Sequence, residues 1–307
     1  MKLATSSGVG RAADEVRAAL SAAIARLEEC AIPSAALAAE LLLMHVLGRE
    51  RVWLYAHPEY KLNAEEVAAY AQLIDRRSQG VPTQYLTGRQ EFWGLEFEVG
   101  PGVLIPRPET EHVIEVALAR LGPRQSEALR VADVGTGSGC LAIALAHELP
   151  RAKIVATDIS GAALDYARRN AARHLVLDRI QFCEANLLGA HRDPAGLSQS
   201  RFDLIVSNPP YVGLRDAATL PSEVREHEPA EALFAGDRGL DLYPPLIDEA
   251  ARALCPDGIF VTEIGYNGAE YVGLLLAGPV WSDLRVARDL GGIERVISAR
   301  LAVKRAS

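Results

Sequence analysis

The sequence predicts an α-helical bundle followed by an α/β fold built on a mostly parallel sheet. Three observations carry that expectation. Up to about Gly80, apolar residues recur at helix spacing. Between Val81 and Pro108 the period changes to an alternation broken by glycines. From His112 onward, short apolar runs alternate with helical segments, the pattern of βαβ units whose parallel strands are covered on both faces. The expected boundaries are a helical domain at 1–80, a β-hairpin linker at 81–108 and the α/β domain at 109–307.

Each element has a local reason. Leu20, Ile24 and Leu27 mark one helix, and Ser34 stands where it would cap the Ala/Leu-rich segment after it. Val67, Tyr70, Ala71 and Ile74 share a face of a further helix, with Asn63 as N-cap and Glu66 three positions on, as in a capping box. In the linker Leu95, Phe97 and Val99 alternate like a strand, while Gly94, Gly100 and Gly102 punctuate turns. The α/β region reads as a helix to about Leu121, a strand Leu129 to Val134, a helix from Gly139, a strand Lys153 to Thr157 and a helix after Ser160. Strands Ile180 to Cys183 and Phe202 to Val206, a helix near Leu246 to Leu254 and a strand Ile259 to Glu263 continue it. Leu284 to Leu290 and Val296 to Ala302, joined across Gly291-Gly292, form a terminal antiparallel hairpin.

At 307 residues the chain is long enough for two folded domains, and its 49% apolar and 23% charged content is that of a globular protein. A formal net charge of −8 argues against a broad nucleic-acid footprint, which needs clustered Lys and Arg, and favours a protein or small-molecule partner. Cys30, Cys140, Cys183 and Cys255 show no Cys-x-x-Cys spacing, so no metal site and no disulfide framework is read. The N-terminus lacks a signal-peptide pattern. The longest apolar stretch, Ala35 to Leu47, is interrupted by Glu40 and His45 and is too short to span a bilayer. A soluble, cytoplasmic monomer is expected.

Two motifs carry chemistry. Gly135-Thr136-Gly137-Ser138-Gly139 lies between a strand and a helix, where the missing Cβ atoms let backbone approach a ligand. Its G-x-G-x-G spacing differs from the dinucleotide G-x-G-x-x-G. Asp158 ends the next strand, 19 residues past Gly139, where an acid can accept hydrogen bonds from ribose hydroxyls; the alternative is that it caps the following helix. Asn186 and Leu187 follow the next strand, at the edge where an adenine would lie, or are a loop Asn and a core Leu. The second motif is Asn208-Pro209-Pro210-Tyr211 at the end of the strand after that. Asn208 offers a side-chain carbonyl, the prolines offer carbonyls and no N–H, and Tyr211 offers a flat wall. A rim of acceptors can hold both hydrogens of a planar –NH2 group and leave its nitrogen lone pair outward. The pairing of the two motifs suits methylation of a planar nitrogen. Glu109 and Glu111 stand either at the site entrance or as helix N-terminal acids, and Arg107 as an entrance group or a solvated linker charge.

Together these residues resemble a class I S-adenosylmethionine-dependent methyltransferase. Gln84-Tyr85-Leu86-Thr87-Gly88, Glu91-Phe92-Trp93-Gly94-Leu95, Leu104-Ile105-Pro106-Arg107-Pro108-Glu109-Thr110-Glu111, Glu228-Pro229, Gly239-Leu240 and Glu263-Ile264-Gly265-Tyr266 are similar, more specifically, to the release factor glutamine methyltransferase (HemK/PrmC) family. The resemblance runs from about Ala35 to the C-terminus. It implies a Rossmann-like, seven-stranded methyltransferase sheet and a substrate-recognition role for the N-terminal bundle. It also implies that Gly135, Thr136, Gly137, Ser138 and Gly139 cradle S-adenosylmethionine, that Asp158 holds its ribose, and that Asn208 contacts both cofactor and substrate. Asn208, Pro209, Pro210 and Tyr211 would form the amide pocket. The implied substrate is the glutamine of the Gly-Gly-Gln loop in class 1 peptide-chain release factors. The rivals are a ribosomal-protein glutamine and, further off, adenine N6 or cytosine N4. One departure is visible: many members carry an aromatic residue after an acid at the adenine edge, whereas this chain has Asn186-Leu187-Leu188.

Overall fold

The computed structural model describes residues 15–189 and 201–303. It divides into two compact units: residues up to Gly88 with Ser222–His227, and the remainder. In chain order the first unit supplies α1 (Val16–Glu29), α2 (Ala35–Leu47), α3 (Arg51–Ala56), α4 (Ala64–Ser78) and α5 (Thr83–Thr87). The second opens with β1 (Arg89–Phe92), β2 (Leu95–Glu98), α6 (Glu111–Leu121), β3 (Arg130–Val134), α7 (Cys140–Glu148) and β4 (Lys153–Asp158). There follow α8 (Gly161–Arg173), β5 (Ile180–Glu184), β6 (Phe202–Ser207), then α9 (Ser222–His227), which belongs to the first unit, and α10 (Tyr243–Ala253), β7 (Leu254–Glu263), α11 (Ala269–Leu276), β8 (Trp281–Arg288) and β9 (Glu294–Leu301) of the second.

The helical unit is built on Val16, Leu27, Ala39, Leu42, Leu43 and Leu54, all buried, with Tyr70 and Ile74 of α4 closing the core. Glu40, which breaks the apolar pattern of α2, is buried too and is satisfied by Arg51 Nε at 2.6 Å and by the Tyr55 hydroxyl. The capping box forms as the spacing predicts: Asn63 accepts from the N–H groups of Glu65 and Glu66, and Glu66 accepts from that of Asn63. Ser34 does not cap α2 through its side chain; its φ of 53° turns the chain instead. Ala71 is exposed, and Leu73 packs in its place. Helix α9 belongs to this unit: Arg77 at the end of α4, 3% exposed, donates to Glu223 at 2.6 Å and to the Val81 carbonyl at 3.1 Å.

In the second unit β1 and β2 form the antiparallel hairpin, and the other seven strands make one sheet in the order β5-β4-β3-β6-β7-β9-β8. Pairing is parallel from β5 to β7 and antiparallel at β7–β9 and β9–β8. Strand side chains alternate between faces. Ala132 and Val134 of β3 join Ile205, Phe260 and the α10 residues Leu246 and Ala250 in one core, while Asp133 between them faces α7. The sequence-read strands match within a few residues, except that β7 starts five residues early. Leu254 pairs with Phe202 before a bulge, and regular pairing resumes at Ile259. Helix α10 starts at Tyr243, ahead of the expected Leu246, because Pro244 and Pro245 occupy its first turn, where the missing N–H costs nothing. Helices α3, α5, α9 and α11 were not anticipated. Among the described residues no helix is long and apolar enough to cross a membrane, and no cluster of His, Cys, Asp and Glu could hold a metal ion.

Candidate functional site

Strand order reverses between β3 and β6, and open α/β sheets bind ligands outside the carboxyl ends of strands at such a point. Here a cleft of about 410 Å³ opens there. It is lined by Gly135, Thr136, Gly137 and Ser138 after β3, Asp158 at the end of β4, Asn186 and Leu187 after β5, and Asn208, Pro209 and Pro210 after β6. The structure thus brings together residues spread over 76 positions. Gly139 and Tyr211 are not among the lining residues.

The glycine loop is held open by backbone geometry. Gly135, Gly137 and Gly139 have φ values of 73°, 55° and 85°, which residues with a Cβ adopt at a cost. The N–H groups of Gly135 and Thr136 both donate to the Thr157 carbonyl at 2.9 Å, tying the loop to the end of β4. Asp158 does local work as well: its carboxylate accepts from Gly137 N–H at 2.8 Å and from Ser160 N–H at 2.9 Å, and Ser160 caps α8. Two donors leave a carboxylate with further lone pairs. Burial pushes the Asp158 carboxyl above its ordinary range, and the backbone N–H groups of Ser160, Gly137 and Ile159 draw it back. At Gly139 a Cβ would meet Ile143 Cδ1 at 3.0 Å and Ala167 at 3.2 Å, so this glycine lets α7 approach α8.

Beneath the loop lies Asp133, fully buried, with Oδ2 accepting from the Thr136 hydroxyl at 2.6 Å and from Ala142 N–H at 3.1 Å. Burial pushes its carboxyl up to about 7, against those two donors. Asn170 of α8, also fully buried, donates to the carbonyls of Ser138 and Glu98 and accepts from Glu98 N–H, joining the loop to β2.

At the other end, Asn208 Nδ2 donates to Thr110 Oγ1 at 2.9 Å, and the Thr110 hydroxyl donates to Glu263 Oε2 at 2.7 Å. Tyr211, instead of presenting a wall to the cleft, donates its hydroxyl to Glu263 Oε1 at 2.8 Å. Its backbone and ring fit because Gly239 and Gly265 carry no Cβ; one built there would meet Tyr211 O at 2.1 Å and Tyr211 Cδ2 at 3.0 Å. Burial raises Glu263, while the Thr110 and Tyr211 hydroxyls and Arg295 lower it. Burial beside Glu263 holds the Tyr211 phenol well above its ordinary value, so it stays protonated. Arg107 is no solvated charge: it pairs with the buried Glu228, which also accepts from Ile105 N–H at 3.3 Å and so fixes the segment that brings Leu104 and Pro106 to the cleft. Glu109 is exposed and Glu111 accepts from Trp93 N–H at 2.7 Å.

The charge of the lining is informative. Among the described residues it holds Asp158, Glu231 and Asp241, with no Lys, Arg or His. A pyrophosphate would find no counter-charge there. A ligand with cationic centres, hydroxyl donors and apolar arms fits both the carboxylates and walls such as Val103, Leu104, Leu187 and Phe234. Thr110 and Glu263 lie in the family-like motifs, but their hydrogen-bonding roles, like those of Asn170 and Asp133, are not read from the sequence. The available signal was a polar residue inside an apolar strand, as in Val131-Ala132-Asp133-Val134 and Phe260-Val261-Thr262-Glu263.

The PrmC N-terminal domain matches residues 18–88, and the methyltransferase small domain matches residues 115–223. The release factor glutamine methyltransferase of Koribacter versatilis is 45% identical over 93% of this chain and 98% of its own length. Those of Geobacter sulfurreducens and Deinococcus radiodurans are each 42% identical, over 90% and 94% of this chain and 93% and 99% of their own. Among solved structures the hMettl16 catalytic domain, in complex with MAT2A 3'UTR hairpin 6, is similar with a TM-score of 0.56 and 16% identity over 76% of this chain and 84% of that one, a likeness of fold alone. At such identity over nearly the whole of both sequences, the chain belongs to the release factor glutamine methyltransferase family.

Proposed function

We propose that the protein transfers a methyl group from S-adenosylmethionine to the side-chain amide nitrogen of the glutamine in the Gly-Gly-Gln loop of class 1 release factors. The observation that carries this reading is the orientation of Asn208, whose Nδ2 is engaged by Thr110 so that the carbonyl Oδ1 is left as an acceptor. That atom is what a glutamine –NH2 requires. The names of the relatives support the substrate assignment. The cofactor assignment is supported by the acidic lining and by the spare acceptor capacity of Asp158.

In this reading Gly135, Thr136, Gly137 and Ser138 cradle the cofactor, Asp158 accepts from its ribose diol, and Asn186 and Leu187 meet its base, Leu187 by apolar packing. Gly139 supports the cradle through its packing on α8. When bound, S-adenosylmethionine supplies a methyl group activated by its sulfonium. The substrate amide is a poor nucleophile because its lone pair is delocalised into the carbonyl. Asn208 Oδ1 and the Pro209 backbone carbonyl accept its two hydrogens, which favours a pyramidal nitrogen with its lone pair aimed at the methyl. Pro210 closes the rim, and Tyr211 anchors the turn through Glu263. Positioning of this kind is worth roughly 7–11 kcal/mol in favourable cases. The alkylated amide is acidic enough to lose its proton to water, so no strong general base is demanded. We assign docking of the intact factor to the helical unit, which a cofactor fold does not need, and we take the enzyme to act in the cytoplasm as a monomer.

The test is transfer of labelled methyl from S-adenosylmethionine to a purified class 1 release factor, with the modified residue mapped. Label on the Gly-Gly-Gln glutamine is expected. Label confined to a ribosomal protein, or to nucleic acid, overturns the assignment.

A further inference from the structure

We propose that Thr110 and Glu263 are positioning residues that lock the Asn208 carboxamide with its oxygen toward the cleft. The inference rests on the proposed amide chemistry for its purpose, and on hydrogen-bond counting for its logic. A threonine hydroxyl has one proton. Both Glu263 oxygens accept, Oε2 from the Thr110 hydroxyl at 2.7 Å and Oε1 from the Tyr211 hydroxyl, so the single Thr110 proton is committed to Glu263. Thr110 Oγ1 is then restricted to accepting from its neighbour at 2.9 Å, and the Asn208 atom that can donate is Nδ2. The amide orientation thus follows from the proton inventory. The other oxygen of Glu263 is occupied by Tyr211 at 2.8 Å, so the carboxylate cannot turn away without leaving a hydroxyl unpaired.

Burial makes the chain rigid. Thr110 and Glu263 are each 1% exposed, so water does not replace a missing partner. The three segments come from different parts of the fold: Thr110 sits just before α6, Glu263 ends β7, and Asn208 and Tyr211 follow β6. A lone Asn on a turn could rotate its amide and present –NH2, a second donor where the substrate also donates. Fixing it from behind removes that unproductive state.

Three variants test the lock. Thr110→Val keeps the shape and loses the hydroxyl, Thr110→Ser restores it, and Glu263→Gln keeps the volume but can donate to Thr110, freeing the Thr110 proton for Asn208 Oδ1 and allowing the amide to flip. The first readout is the side-chain –NH2 signal of Asn208 in an NMR spectrum, assigned by its loss in Asn208→Ala. It should move in Thr110→Val and Glu263→Gln and return in Thr110→Ser. The second is steady-state methylation of the release factor, where Thr110→Val and Glu263→Gln should lower kcat about tenfold to a hundredfold. The KM for the factor and the affinity for S-adenosylmethionine should stay near wild type, and Thr110→Ser should recover most of kcat. An unmoved Asn208 signal, or folded Thr110→Val and Thr110→Ser variants impaired alike, overturns the inference. Should Thr110→Val fail to fold, Glu263→Gln carries both readouts. Failure of the wild-type protein to methylate the factor overturns the proposed function instead, and the NMR signal still decides the lock.

Discussion

The two ends of the cleft rest on the same device built in two ways. Each has a buried carboxylate behind it, raised by desolvation and held by two donors: Asp133 behind the glycine loop and Glu263 behind the Asn-Pro-Pro-Tyr turn. The partners of Asp133 are three and nine residues away along the chain. Those of Glu263 are 153 and 52 residues away. The carboxylate behind the glycine loop is thus satisfied locally, where one strand turns into one helix, although the loop itself is also tied to Thr157, Asp158 and Asn170. The end at the Asn-Pro-Pro-Tyr turn exists only once three distant segments have met. The buried carboxylate of the loop depends on its own strand–helix turn, whereas Glu263 depends on the packing of distant segments of the second unit.

Substitutions at each end sharpen the contrast. The largest effect is expected from Asn208→Ala, which should lower methyl transfer about a hundredfold or more by removing the acceptor that aims the nucleophile, with little change in thermal stability. Single-turnover assays on the release factor check it, and near wild-type turnover would break the assignment. Next is Gly139→Ala, where a Cβ would enter the α7–α8 contact at positive φ. A stability loss of about 2–4 kcal/mol is expected in denaturant melts, with unchanged cofactor affinity in the folded fraction. Asp158→Ala should weaken S-adenosylmethionine binding by about 1.5–3 kcal/mol in calorimetric titration; unchanged affinity would remove Asp158 from the ribose.

The smallest effect is on pH dependence. Because the Asp133 carboxyl is pushed up to about 7, the native state keeps a proton that the unfolded chain has already released. The stability tied to this group is complete below its unfolded pKa and is lost as pH rises through about 7, a fall of about 1.4 kcal/mol between about pH 6 and 8. In Asp133→Asn that component should flatten, since the amide keeps an acceptor for Thr136 and Ala142 without titrating. Parallel pH slopes for wild type and variant, from chemical denaturation at several pH values, would show that Asp133 does not titrate there.

The same contrast explains what was legible in the sequence. The parallel sheet, the capping box at Asn63, the glycine loop and Asp158 are written in short windows where spacing alone implies geometry. The place of Asn208 beside the cleft was legible because its prolines mark a turn at a strand end. Its orientation was not, since the deciding proton lies on Thr110, 98 residues upstream. Tyr211 was read as a wall because an aromatic beside two prolines suits one; only Gly239 and Gly265, clearing space behind it, turn it toward Glu263. Arg107 reads as either an entrance group or a linker charge because its partner, Glu228, lies 121 residues away.

The membership of Ser222–His227 in the helical unit bears on how the protein is made. During synthesis helices α1–α5 emerge first, yet Arg77 meets its carboxylate only when Glu223 has been added, 146 residues later. At about 5–20 residues per second that is a wait of about 7–30 s, during which the end of α4 carries a near-buried guanidinium without its ion partner. A missing partner of this kind costs on the order of 3 kcal/mol. The unit at the N-terminus is therefore the one completed late, after most strands of the sheet exist, and a fragment ending at Gly88 would remain at that unfinished stage.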